Sequence, residues 1–193
     1  MKNRDIDLLF EVGSLHNVPR AWKQILGLQV GNIVEHILRV MLIAMVIARK
    51  EGVKDEEKIM KMALFHDLAE SRTLDSAFIH KEYMERHEEK AITDMLTSTV
   101  FEPDLKILEE YEERESIESR IVRDADHLEV DFELKELEKT GSLTAKKLKE
   151  SRKIVRESKL HTKAAKEIWD ELQGVDPDKW HLDLSNSWAK KMR

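Results

Sequence analysis

Apolar residues recur at steps of three and four along most of the chain, the period of helices that bury one stripe each. Between Asn32 and Lys50 the positions Ile33, Ile37, Val40, Leu42, Ile43, Val46 and Ile47 keep this spacing, and Gly52 follows as a stop signal. The pattern predicts a long buried helix. Asp55 then reads as an N-cap before Glu56 and Glu57, and Ile59, Met62, Ala63 and Phe65 carry a second helix through His66-Asp67-Leu68-Ala69-Glu70 to its end near Asp75. Further helices are predicted over 80–96 and, after Pro103 at a first-turn position, over 104–112. Ser116 caps one over 117–139, in which Ile121, Val122, Ala125, Leu128, Phe132 and Leu137 form the stripe and Gly141 the stop. Segments 143–157 and 161–172 are helical as well, with a short helix after Asp176-Pro177-Asp178.

Only Glu11 to Gly31 breaks the rhythm, with three Gly, one Pro and weak periodicity. It reads as a long ordered loop, and loops of that length in compact domains usually carry function, which directs attention to Arg20 and Trp22. A length of 193 residues suits one domain. The composition, 37% charged with six Gly and three Pro, favours surface-charged helices over a turn-rich sandwich, so the expected fold is all-α.

Charge and cysteine usage narrow the chemistry. The 33 basic and 39 acidic residues are spread evenly, for a formal charge of −6, and form no basic stripe that would track a phosphate backbone. Polymeric nucleic acid is therefore not an expected partner. With no Cys, there is no disulfide framework, thiolate site or Cys nucleophile, and any metal must use nitrogen and oxygen ligands. The longest apolar run, Val40 to Ala48, is nine residues against the roughly 20 of a membrane span. Charges at Lys2, Arg4, Asp5 and Asp7 leave no apolar segment for a secretory signal, so the expected location is the cytoplasm, away from membranes.

The candidate chemistry starts with the neighbours His66 and Asp67, about 100° apart on a helix, which can grip an ion from one side only. Taken alone they are as readily an ion-paired surface dipeptide. His36 sits among Ile33, Ile37 and Val40 and points along the core, where a backbone carbonyl or a metal can satisfy it. Asp126, within Arg123-Asp124-Ala125-Asp126, is surrounded by apolar positions and needs a partner: Arg39, Arg123 or a divalent cation. Glu70 lies on the same helical face as His66 and Asp67, with Arg72 as an alternative partner, and Asp75 is equally placed to cap the next helix.

The ordered set Glu35-His36, His66-Asp67-Leu68-Ala69-Glu70 with Asp75, and Asp124-Ala125-Asp126 resembles the signature of HD-domain phosphohydrolases, over roughly Val18 to Phe132. Within that family it is most similar to the 5′-deoxynucleotidase branch. The resemblance implies a helical bundle in which His36, His66, Asp67 and Asp126 hold one divalent ion, with Asp126 preferred to Asp124 because the last ligand occupies the second acidic position. Manganese, cobalt, iron, nickel and zinc all suit two nitrogen and two oxygen donors. It further implies Glu70 as general base, Asp75 as a second catalytic acid, Arg20 as a hold on phosphate and Trp22 as a wall for the sugar. The expected reaction is hydrolysis of a small nucleotide, a deoxynucleoside 5′-monophosphate, to nucleoside and phosphate. The family commonly forms homodimers, and Ile168, Trp169, Leu172, Trp180 and Trp188 suit either such an interface or the chain's own core.

Some positions depart from the pattern. Leu26, Gly27, Leu28 and Gln29 stand where relatives carry more Arg, and Leu74 replaces a Gly before Asp75, which restricts that turn. An HD phosphodiesterase or pyrophosphohydrolase with a second metal at His80 and His87 is an alternative, though Glu85, Arg86, Glu88 and Glu89 make that stretch a solvated charged face. A non-enzymatic metal- or nucleotide-binding module is a third. It would need the four ligands without Glu70 and Asp75. Glu129, three residues after Asp126, is either a support for a ligand or a surface carboxylate.

Overall fold

A computed structural model describes residues 4–27 and 30–191, so Lys2, Leu28 and Gln29 lie outside the described residues. Its centre is α3, Ile33–Glu51, which begins where the Asn32 side chain accepts a hydrogen bond from the Glu35 N–H. It ends at Gly52, whose φ of +75° is the left-handed turn that a residue without Cβ makes at least cost. Ile33, Ile37, Val40, Ile43 and Ile47 form its buried stripe, as the three- and four-residue steps predict.

The longest neighbour of α3 is α9, Ile117–Lys139, capped by Ser116 through the Ser119 N–H. Two more helices, α4 (Glu56–Phe65) and α12 (Lys163–Gly174), pack on this pair, and α8 (Leu105–Glu113) covers α4 and α9. Ile47, Ile59, Met62, Ile121 and Leu128 meet in the resulting core and are fully enclosed. A second cluster joins Leu8, Leu15, Ile33, Phe65, Leu68 and Met95 beside it. No strand occurs among the described residues. The fold is all-α, and no helix is long and apolar enough to cross a membrane.

Several boundaries differ from the pattern-based expectation. The second helix does not run through His66 and Asp67: α4 stops at Phe65, and the bonds Leu68 N–H to Phe65 O and Glu70 N–H to Asp67 O close three-residue turns before α5, Glu70–Thr73. The Ala63 carbonyl, which a continuing helix would offer to the Asp67 N–H, instead meets the His66 imidazole at 2.7 Å. The helix expected over 80–96 is split into α6, Phe78–Lys81, and α7, Glu88–Leu96. Tyr83 and Met84 between them are exposed, so no core packing holds that stretch helical.

The expected loop of 11–31 is also more regular than its glycines suggest. α1, Asp5–Ser14, runs through Gly13, a 3-10 turn follows at Leu15–Asn17, and Trp22–Leu26 forms α2. An antiparallel bridge between Pro19 and Asn32, with Arg20 N–H to Gly31 O and Ile33 N–H to Val18 O, ties the segment to the start of α3. In the C-terminal part, 143–157 divides into α10 (Leu143–Lys147) and α11 (Lys149–Ser158), and α13 spans Lys179–Lys191. Trp169 and Leu172 of α12 are buried in the chain's own core, whereas α11 and α13 bury no residue.

Candidate metal centre and active site

His36 enters from the start of α3, His66 and Asp67 from the turn after α4, and Asp126 from the middle of α9. Their side chains converge. The donor atoms of His36, His66 and Asp67 all lie within 4.8 Å of one another. Asp67 Oδ2 is 3.2 Å from His36 Nε2 and 3.3 Å from His66 Nε2, and Asp126 Oδ1 is 3.3 Å from His36 Nε2.

The other ring nitrogens explain why these distances are not hydrogen bonds. His66 Nδ1 faces the Ala63 carbonyl at 2.7 Å, and a carbonyl only accepts, so Nδ1 carries the hydrogen. His36 Nδ1 meets Glu129 Oε2 at 2.7 Å, and that carboxylate fixes the same tautomer. Both Nε2 atoms therefore turn lone pairs toward Asp67 and Asp126, and both are buried without a hydrogen-bond partner. Two imidazole lone pairs against two carboxylates form a nest for a cation, and this donor set fits a divalent ion.

The electrostatics favour positive charge at this position, for which a proton on His36 Nε2 and a cation compete. Burial opposes the charged form of His36, yet the carboxylates of Asp126, Asp67 and Glu129 raise its pKa well above 6.5. Burial likewise opposes ionisation of Asp67, but His66 and His36 hold it well below 3.8. Asp126 is lowered in the same way, against burial, by His36 and His66. The carboxylates thus favour positive charge at the centre of the cluster, as imidazolium or as a bound cation.

Glu70 is buried beside this centre. Arg86 Nη1 donates to its Oε1 at 3.2 Å, while Oε2 is enclosed and has no hydrogen-bond partner. Burial, then the charges of Asp67 and Asp75, push its pKa up to about 9 against the pull of Arg86. The alternative partner Arg72 pairs with Glu11 instead. Asp75 does not cap α6. Its Oδ2 accepts from the Ala21 N–H at 2.7 Å and its Oδ1 from the Ser76 N–H at 2.6 Å, which fastens the Arg20–Trp22 segment to the site.

Leu74 makes the turn to Asp75 with φ +62° and ψ 158°, a region that glycine alone enters freely, and the Arg86 guanidinium donates to its carbonyl. The expected restriction at this position is overcome by strain. Arg20 is 7% exposed and sits 3.3 Å from Asp75, 3.7 Å from Glu129 and 3.9 Å from Glu133. Burial lowers its pKa and these carboxylates raise it further, so its charge is engaged by the site. Trp22 stacks at a tilt on Phe78, ring centroids 6.4 Å apart.

Of the two acids in Asp124-Ala125-Asp126, only Asp126 faces the centre. Asp124 is fully buried on the opposite face and accepts from the N–H groups of His161 and Thr162 at 2.8 and 2.7 Å and from the Thr162 hydroxyl at 2.8 Å. Arg39 pairs with Glu136 and Arg123 with Glu112, so neither alternative partner is spent on Asp126. His80 bonds Gln24 through Nε2 at 2.7 Å and stands in α6, whereas His87 is the residue that precedes α7.

A cavity of about 610 Å³ opens from His66, Asp67 and Asp126. Arg20, Trp22, Glu70 and Asp75 line it, together with Lys81, Arg86, Arg123 and Arg152. Neither Arg86 nor Lys81 stands out in the sequence, because each is one more charge in a charged run. Glu129 carries a weak signal: it follows Asp126 by one helical turn on α9.

An HD domain family model matches residues 12–169. The chain belongs to the HD domain family. The HD match reaches beyond the motif-bearing stretch of 18–132 into α12. The chain is 32% identical over 134 residues to 5′-deoxynucleotidase HDDC2 of Homo sapiens, covering 66% of this chain and 65% of that protein. The similarity to 5′-deoxynucleotidase HDDC2 of Danio rerio is also 32%, over 66% of each. The chain thus spans about two thirds of the length of these curated relatives. Among solved structures, a conserved hypothetical protein from Pyrococcus furiosus superposes with a TM-score of 0.73 at 26% identity, covering 89% of this chain and all of that one. A protein from Pyrococcus horikoshii OT3 gives 0.71 at 28% identity, over 86% of this chain and 97% of its own.

Proposed function

We propose that this HD domain is a metal-dependent phosphohydrolase that converts deoxynucleoside 5′-monophosphates to nucleoside and phosphate. The observation that carries the reading is the pair of buried Nε2 lone pairs aimed at Asp67 and Asp126 with no hydrogen bond. We assign His36, His66, Asp67 and Asp126 as the ligands of one divalent ion. Such an ion supplies charge withdrawal from a phosphoryl oxygen and makes water more acidic.

The protein's own groups do the rest. Glu70 Oε2, free of hydrogen bonds, takes the proton of the attacking water, while Arg86 holds Oε1 and so aims the carboxylate. Positive charge at the four donors counteracts the two acids that raise the Glu70 pKa and brings it toward the working range of a base. Asp75 positions Arg20 and Trp22 through the Ala21 N–H, with Arg20 steering phosphate and Trp22 bounding the sugar. Lys81, whose ammonium has no ion-pair partner among the described residues, adds positive charge at the cavity. The similarity to proteins named 5′-deoxynucleotidase supports the substrate class. We further propose a homodimer through the apolar side chains that α13 exposes, Trp180, Leu184 and Trp188, which light scattering would register as twice the chain mass.

The test removes metal with a chelator and restores manganese, cobalt, iron, nickel or zinc one at a time against a panel of nucleotides. Phosphate release should vanish and return with metal. Asp67→Ala should lose metal and turnover together, and Glu70→Ala should keep the metal while turnover falls roughly 100-fold or more. Equal metal loss in both variants contradicts the separate roles, and phosphate release that is indifferent to chelation refutes the reading.

A further inference from the structure

Two unlike sets of residues line the cavity. One set holds His66, Asp67 and Asp126 of the four donors, with Lys81 and Arg86. The other, a second end to the lining, comes from the later helices: Val130 of α9, Leu148 between α10 and α11, and Ser151, Arg152 and Val155 of α11. Arg152 does not make this second end basic. Its Nε and Nη2 donate to the two oxygens of Asp131 at 2.9 and 2.7 Å, and Nη2 donates also to the His127 carbonyl at 2.7 Å. The guanidinium is neutralised and spent on fixing α11 to α9.

α11 is otherwise unusual, since it buries no residue in the core. Val155 and Leu148 are only half-buried, because they face the cavity. The helix is held by a buried ion pair and offers an apolar, uncharged wall to the same space that the donors open into. A volume of about 610 Å³ far exceeds a phosphate group and is in the range of small-molecule sites. A ligand with one dianionic end and one flat, uncharged end matches this division.

We propose that Val130, Leu148, Ser151 and Val155 form the nucleobase end of the site, so that α11 decides how tightly the base is held. The assignment rests on the phosphohydrolase reading for the identity of the ligand, but it is measured by binding, separately from turnover. Equilibrium dialysis, on metal-loaded protein carrying Glu70→Ala throughout so that neither ligand is hydrolysed, would compare deoxyadenosine 5′-monophosphate with 2-deoxyribose 5-phosphate, which lacks the base. Val155→Trp fills the end, and Ser151→Phe does so from an exposed helical position that does not touch the core. Both should weaken the nucleotide roughly tenfold or more and change the sugar phosphate less than about twofold, with metal content unchanged. Weakening of both ligands alike, or of neither, in the variant that keeps the wild-type melting temperature overturns the assignment. So does equal binding of both ligands before either wall substitution is made. If the nucleotide binds preferentially and yet the protein with Glu70 intact releases no phosphate, the hydrolase reading falls and the base end stands.

Discussion

Asp124 and Asp126 have one residue between them on α9, and at about 100° per residue their side chains leave the helix some 200° apart. On one face Asp124 meets the N-terminus of α12, whose N–H groups have no partner within their own helix, and it satisfies two backbone donors and a hydroxyl. On the other face Asp126 meets His36 and Asp67, which offer a lone pair and another negative charge. The same side chain is a helix anchor where the facing element supplies hydrogens. It is a candidate cation ligand where the facing element supplies acceptors. Asp124 is fully enclosed and Asp126 only half-buried, but what sets the two roles is the chemistry of the opposing surface.

The largest expected effect tests the ligand face. Asp126→Ala should abolish stoichiometric metal binding and lower phosphate release by roughly 1,000-fold, with the fold retained, as read by metal analysis and circular dichroism. Its counterpart Asp124→Ala should keep metal at high occupancy and cost on the order of 3 kcal/mol in denaturant unfolding, since three buried donors lose their acceptor. If the two variants exchange these phenotypes, or share one, the contrast between the faces is wrong.

Next in size is Glu129→Gln, which keeps the volume but not the charge behind His36 Nδ1. Metal affinity should fall roughly 10- to 100-fold in a competition titration, because the imidazole is less basic and less firmly oriented. An unchanged affinity would make Glu129 a packing residue. The smallest effect lies off α9. Leu74→Gly removes the penalty of φ +62° at an exposed side chain and should stabilise the chain by about 1 kcal/mol, after the glycine's greater freedom when unfolded is subtracted. A shift of the denaturation midpoint to lower denaturant would show that Leu74 is not strained.

Much of the framework was legible along the chain. The stripes of α3 and α9, the caps Asp55 and Ser116 and the stop at Gly52 depend on residues within a turn or two of each other. The donor set was legible only as a resemblance, because His36, His66 and Asp126 each read equally well as an ordinary buried or paired residue. The break at His66-Asp67 was not legible, since the apolar period continues unbroken through it, and the side chain of His66 takes the carbonyl that would have prolonged the helix. The split between α6 and α7 was missed for a related reason: Tyr83 and Met84 look apolar in sequence but find no core to enter. The role of Arg86 depends on a carboxylate 16 residues away and on a strained carbonyl, neither of which marks the sequence.

By itself the sequence determined that the chain is helical, where its main helices start and stop, and that any metal must be held by nitrogen and oxygen. Helix period, capping and residue chemistry act within a few positions, so they are written locally. The resemblance singled out Asp126 over Asp124, but only the tertiary structure decided that Asp124 anchors the start of α12 and that Glu129, 93 residues from His36, sets its tautomer. It also decided that Arg152 spends its charge on the Asp131 carboxylate. Those outcomes depend on how α3, α4, α9 and α11 cross, and a crossing brings together residues far apart in sequence whose types alone do not say which of them will meet.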